Sequence, residues 1–253
     1  MLLQITNEEL QKIKFEHPFY DLEIENILGF ANKPGYLEMW LNAEIEKQQQ
    51  NWEFLPALFE LSFGITTKDH FSPVLIDNHF KLKGKIDRIE FSNIDNALYF
   101  IITDYKSNLN NIASLKKILE GVSFQMPLYL VAAKILFEQT SNEAKPFGAV
   151  YYNLKPFSKN KKPEFFKCLM IPPSNSIKKL LGKSKNQYLQ SDDELNDVLI
   201  KSIEHAKKLV ENISNFQFPV KPLDLKVCNN CNYKSACRIK EKKIIMDLSE
   251  SEE

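Results

Sequence analysis

The chain has 253 residues, 33 basic against 33 acidic side chains, 43% hydrophobic and 26% charged residues. That is the profile of a globular protein with a real core, and the balanced charge argues against a strongly basic nucleic-acid coat protein without excluding a local basic surface. No apolar run reaches the length of a transmembrane helix, and the first six residues lack the basic flank and cleavage site of a signal peptide, so a cytoplasmic location is expected.

Residues 1–53 are predicted as a helical lead-in, helical from Asn7 to about Asn51 with a break at Asn32-Lys33-Pro34-Gly35. After the break Leu37, Trp40, Leu41 and Ile45 recur at helical spacing, with Glu38, Glu44, Glu46 and Lys47 between them. The core is expected over 54–225. Residues 54–63 read as a strand, with Pro56 at its start or on an edge. Residues 80–89 alternate with period two. The continuous apolar run 97–103 suits a strand buried on both faces, and the turn chemistry of 92–96 makes the two an antiparallel hairpin. A helix is predicted to follow Gly121, starting at Val122 and extending to about Glu138, with strands at 147–154 and 165–170 and a long amphipathic helix over 192–215. Residues 226–240 form a cysteine-rich segment and 241–253 an acidic tail. Trp40 and Trp52 follow apolar spacing and are expected in the core.

The chemistry concentrates on the hairpin. Asp87 lies inside one strand and Asp104, seventeen residues on, near the end of the next, where Lys106 shares its face. Charges in apolar strands are expensive unless paired. Two carboxylates, with the Tyr105 carbonyl as a further oxygen, suffice for Mg²⁺, which keeps several waters. Lys106 can then orient or help deprotonate a water activated by the cation, or offset charge developing on phosphorus. Gln125 carries both a donor and an acceptor, and Tyr129 shares its helix face. The plainer reading makes Asp104 and Lys106 a same-face salt bridge worth under about 1 kcal/mol.

Taken together, Glu60-Leu61-Ser62-Phe63-Gly64, Gly84-Lys85-Ile86-Asp87-Arg88-Ile89, Asp104-Tyr105-Lys106-Ser107, Gln125-Met126-Pro127-Leu128-Tyr129 and the C-terminal cysteines resemble the RecB-like branch of the PD-(D/E)xK nuclease superfamily. The likeness is strongest to the C-terminal nuclease domain of AddB-type helicase–nuclease subunits. The resemblance implies an α/β, restriction-endonuclease-like core, a central mixed sheet flanked by helices. It implies DNA cleavage, as an exonuclease, with Mg²⁺ or Mn²⁺. Asp87 and Asp104 would bind the metal, Lys106 would be catalytic, and Gln125 and Tyr129 would support the site. The implied partners are DNA and a helicase subunit or an upstream portion of the same protein, in recombination and double-strand-break repair.

Two departures stand out. The family carries a histidine in a Gly-x-x-x-His context on an early helix and a cysteine upstream of the core. Here His17 precedes Pro18, His70 and His79 lie in a loop and at a strand start, and no cysteine precedes Cys168. The chain is therefore expected to be the C-terminal part of a longer relative. Cys228, Cys231 and Cys237 have a spacing that can wrap a zinc ion or an iron–sulfur cluster. The resemblance implies a 4Fe-4S cluster completed by the upstream cysteine, with zinc as second choice. Cys168 is expected to be a buried small hydrophobe, and His205 to be solvated or partly packed. Lys116 and Lys117 form one basic group, and Lys155, Lys159, Lys161, Lys162 and Lys167 another, either of which can approach phosphates. Competing readings are a catalytically incomplete remnant that binds DNA or a partner, and a stand-alone CRISPR-associated RecB-like exonuclease.

Overall fold

The apolar run on the central strand dictates the architecture, because a strand with no polar face must be covered on both sides. In the computed structural model, which describes residues 2–12, 19–66, 71–107, 112–140, 143–154, 163–171, 188–220, 222 and 225–239, this strand is β7 (Ala97–Lys106). It is the middle of a five-stranded sheet of order β3-β6-β7-β8-β9, with β3 at Leu55–Phe63, β6 at Gly84–Ile94, β8 at Ala144–Asn153 and β9 at Glu164–Met170. β7 pairs antiparallel with β6 and parallel with β8, and the other pairs are antiparallel, so the sheet is mixed.

The parallel step from β7 to β8 requires a crossover, supplied by α4 (Leu115–Leu119) and α5 (Gln125–Gln139). α5 lays Met126, Leu130, Ala133 and Phe137 on one face of the sheet, where Phe137 meets Phe91 and Phe100 at ring-centroid distances of 5.2 and 5.1 Å. The opposite face packs Trp52, Phe54, Ile101, Phe147, Val150, Tyr152 and Phe165. α6 (Asp192–Ser214) contributes Leu195, Val198 and Leu199 to the first cluster. The chain divides into two compact units, Met1–Lys207 and Lys208–Glu253.

The lead-in holds α1 (Leu2–Lys12), α2 (Tyr20–Leu28) and α3 (Tyr36–Gln49). In place of a plain break, β1 (Gly29–Phe30) and β2 (Lys33–Pro34) pair as a two-residue hairpin. α3 departs from the expected polarity in its second half, while Trp40 packs against the core. Lys47 is 2% exposed while Leu41 and Ile45 are 40% and 47% exposed, because the helix turns its charges to partners on the sheet. The period-two run 80–89 is also two strands. β5 (Phe80–Leu82) pairs with β4 (Val74–Ile76) in a separate hairpin, and β6 begins after Lys83. The β6–β7 turn is shorter than expected: β6 runs to Ile94, and Asp95 and Asn96 alone make the reversal, with φ of 50° and 63°. Gln125 opens α5 four residues after Gly121, later than the predicted helix start.

The cysteine segment is a 3-10 turn (Leu225–Asn230) followed by one helical turn (Lys234–Cys237). His17, His70, Lys155, Lys159, Lys161, Lys162 and the acidic tail lie outside the described residues. No helix among the described residues is long and apolar enough to cross a membrane.

Candidate active site

The β6–β7 pairing runs regularly from the turn to Arg88↔Thr103, and Asp87 and Asp104 are the next residue on each strand. The strand register thus delivers two carboxylates to one place. Asp104 is 4% exposed. Its Oδ1 accepts a hydrogen bond from Gln125 Nε2 at 2.8 Å, and Lys106 Nζ lies 2.6 Å from its Oδ2. Lys106 Nζ also donates to Gln125 Oε1 at 3.3 Å, closing a three-membered cluster. Gln125 is the first residue of α5, so the helix start aims its amide at the end of β7. Asp87 Oδ2 accepts the Tyr105 backbone N–H at 2.9 Å.

Electrostatics mark Asp104 as the strained member. Burial raises its carboxyl above the usual range, Lys106 and Gln125 pull the other way, and nearby Asp87 pushes it up again. Its buried Oδ2 is held by the Lys106 ammonium. An oxygen so placed, beside a second carboxylate, suits a hard cation. No cluster of three or more His, Cys, Asp or Glu side chains able to hold an ion occurs among the described residues. Two carboxylates nevertheless fit Mg²⁺ or Mn²⁺ completed by water. Asp87 and Asp104 are the residues that would hold it. For Tyr105 the contact found is its amide on Asp87 rather than its carbonyl.

Tyr129, expected beside the site, packs its ring edge-on against Phe63 at 6.3 Å. A Cβ on Gly84 would lie 2.8 Å from the Phe63 ring and 2.9 Å from the Tyr129 ring, which explains glycine at the head of β6. Glu60 has φ of 54°, within β3 between the pairs Phe59↔Arg88 and Leu61↔Ile86, and pairs with Lys85, a cation whose pKa both Glu60 and Asp87 raise.

Sequence reasoning missed Tyr151. It stands opposite Asp104 on β8, and the Lys106 ammonium lies 5.7 Å from its ring centroid, a distance at which a cation is attracted to the aromatic face. A single tyrosine in an apolar strand carries no signal of this. Cys168 is buried as expected, its thiol pushed up to about 12 by burial, which keeps it inert. Lys167 departs from its predicted place in a basic surface: it is buried, its ammonium sits 4.4 Å from the Tyr188 ring centroid, and burial lowers its pKa. Lys116 and Lys117 lie on α4, and His205 is exposed against Gly121. Cys228, Cys231 and Cys237 line one cavity of about 330 Å³, yet they do not converge on a shared ion.

A mixed sheet that brings two aspartates and a lysine to the open end of a hairpin, with a helix-borne glutamine beside them, is the arrangement expected from the resemblance to the PD-(D/E)XK superfamily. The profile of the PD-(D/E)XK nuclease superfamily matches residues 2–238, and the chain belongs to that superfamily. Among characterised bacterial proteins it is similar to the B-type polypeptide of the ATP-dependent helicase/deoxyribonuclease. The Exiguobacterium sibiricum protein is 36% identical over 146 residues, 53% of this chain and 12% of the relative. The Natranaerobius thermophilus protein is 27% identical over 164 residues, 62% of this chain and 13% of the relative. The Listeria monocytogenes protein is 25% identical over 171 residues, 65% of this chain and 12% of the relative. The matched part of this chain thus spans about an eighth of the length of these relatives.

Proposed function

We propose that this chain is a divalent-metal-dependent deoxyribonuclease module that hydrolyses DNA phosphodiesters, acting as an exonuclease beside a helicase in recombination and double-strand-break repair. The observation that carries the reading is the closed set Asp104–Lys106–Gln125 adjoining Asp87. When bound, the divalent ion supplies Lewis-acid polarisation of the phosphodiester and activates water. Asp87 and Asp104 would hold it, with the Tyr105 amide fixing the orientation of Asp87 and Gln125 that of Asp104. In hydrolysis the oxygen of water bonds to phosphorus, one ester P–O bond breaks, the attacking water gives up a proton to solvent, and the departing sugar oxygen takes one up to leave as a hydroxyl. The Lys106 ammonium, aimed by Tyr151 and Gln125, is positioned to hydrogen-bond the attacking water or a phosphate oxygen and to balance the charge that builds there.

Single-stranded DNA with Mg²⁺ or Mn²⁺ tests this. Cleavage by the wild type is expected to fall at least about a hundredfold in Lys106→Ala, a magnitude typical for loss of one charge-stabilising group. No cleavage by any preparation would leave the noncatalytic remnant as the reading.

The cysteine trio belongs to the same proposal as three of the four ligands of a 4Fe-4S cluster, an incomplete set in this chain that a further cysteine would complete, with zinc the second choice. Protein purified anaerobically together with a segment that supplies the fourth cysteine is expected to contain iron and acid-labile sulfide, and Cys231→Ser to lose both. Zinc without iron would reverse the order.

A further inference from the structure

Behind the sheet, on the face away from Gln125, lies a buried cluster of four charges. Glu44 and Lys47 come from α3, Arg88 and Glu90 from β6, and their side chains are between 0% and 14% exposed. Arg88 reaches Glu44 at 2.9 Å and Glu90 at 2.8 Å, while Lys47 lies 3.3 Å from Glu44 and 3.4 Å from Glu90. Trp52 Nε1 donates to Glu90 Oε2 at 2.6 Å and Thr103 Oγ1 to its Oε1 at 3.4 Å. Two cations balance two anions. Buried ion clusters of this kind add little stability over packed apolar side chains, so net stability does not account for this one.

Its position does. Regular β6–β7 pairing stops at Arg88↔Thr103, which leaves Asp87 and Asp104 just past the last ladder pair. Across that gap the strands are joined by Arg88 Nη1 donating to the Tyr105 hydroxyl at 3.2 Å and by the Tyr105 N–H donating to Asp87 at 2.9 Å. Tyr105 passes through the sheet: its phenol is held on the cluster side and its amide holds a carboxylate on the site side. Its chain neighbours are Asp104 and Lys106.

We infer that the Glu44–Lys47–Arg88–Glu90 cluster is a positioning device for the candidate metal site, setting the spacing of Asp87 and Asp104 through the Arg88–Tyr105–Asp87 relay. Arg88, Glu44, Lys47 and Glu90 are positioning residues, and the identity of what they position rests on the nuclease reading. The guanidinium suits the task because its rigid planar fork holds its donors in fixed directions toward Glu44, Glu90 and Tyr105, where an ammonium on a flexible stem fixes no such directions.

Tyr105→Phe and Arg88→Lys test this. The first removes one hydroxyl, and the second keeps the buried charge. Two quantities are measured: backbone amide exchange over residues 103–107 without metal, and cleavage rate against Mn²⁺ concentration. Both variants are expected to exchange the Tyr105 amide about tenfold faster, the scale set by a hydrogen bond to a charged group. Both are expected to need about tenfold more Mn²⁺ for half-maximal cleavage, with the rate at saturating Mn²⁺ within about threefold of wild type. Wild-type exchange and wild-type Mn²⁺ dependence in both variants would overturn the inference, as would a drop in melting temperature with neither change. If the wild type cleaves nothing, the nuclease reading fails and the exchange measurement alone decides the relay.

Discussion

Asp104→Asn is expected to lose at least about a hundredfold in DNA cleavage while raising the melting temperature at neutral pH by about 2–4 °C. The two effects share one cause. Burial and the neighbouring Asp87 raise the Asp104 carboxyl above its usual 3.8, despite Lys106 and Gln125, so the folded chain resists the charge that the chemistry needs. The sign follows from linkage. A carboxyl whose pKa is higher folded than unfolded carries a penalty in full above the folded value, and the penalty fades as pH falls through that value toward 3.8. Asparagine keeps the acceptor for Gln125 without the charge. Thermal unfolding at neutral pH should therefore separate the two proteins, and the gap should close as pH approaches the carboxylate range. An asparagine variant less stable than wild type at neutral pH would mean that the Lys106 ion pair outweighs burial.

The second large effect lies on the opposite face. Glu90→Ala is expected to destabilise the fold by about 3–5 kcal/mol, the range for breaking a buried ion pair by removing one partner. Glu90 accepts from Trp52 and Thr103 and neighbours both Lys47 and Arg88, so its loss strands two cations on Glu44 alone. Arg88 stays charged: burial works against it, but Glu90 and Glu44 raise its pKa overall. Lys47 is the group that can yield. Burial lowers its pKa below 10.5 even with Glu90 present, and removing Glu90 lowers it further. A lysine with a lower pKa folded than unfolded is penalised in full below the folded value, and the penalty is relieved as pH rises through that value toward 10.5. Urea unfolding of Glu90→Ala should show a deficit that narrows between neutral pH and about pH 10. A deficit independent of pH would assign the loss to Trp52 and Arg88 rather than to Lys47.

The hairpin that carries the site was legible because two strong signals coincide there. An apolar run too long for a one-faced strand lies next to an alternating segment with an acid in it, and Asp104 and Lys106 keep the spacing that puts both on one face. The β5–β6 break was hidden because alternation continues through Lys83, and periodicity cannot distinguish one strand from two that join end to end. α3 misled for a deeper reason. Leu41 and Ile45 mark the helix face that hydrophobicity would bury, yet the helix turns Glu44 and Lys47 inward because Arg88 and Glu90 wait on the sheet. Those partners are more than forty residues away, and helical spacing alone contains no trace of them. Tyr151 was missed similarly: its place beside Lys106 depends on the parallel β7–β8 register, a non-local pairing. Five short motifs in order conveyed the chemistry, whereas its support came from contacts between segments far apart in the chain.

The Asp95–Asn96 reversal has a practical use. It closes the hairpin whose open end carries Asp87 and Asp104, so roughly 25 Å of paired strand separates the two, at about 3.4 Å per residue. A cysteine introduced there for a fluorophore or a surface tether would leave the carboxylates untouched. Immobilised by that tip, the molecule would keep the end bearing Asp87 and Asp104 free for the proposed DNA substrate.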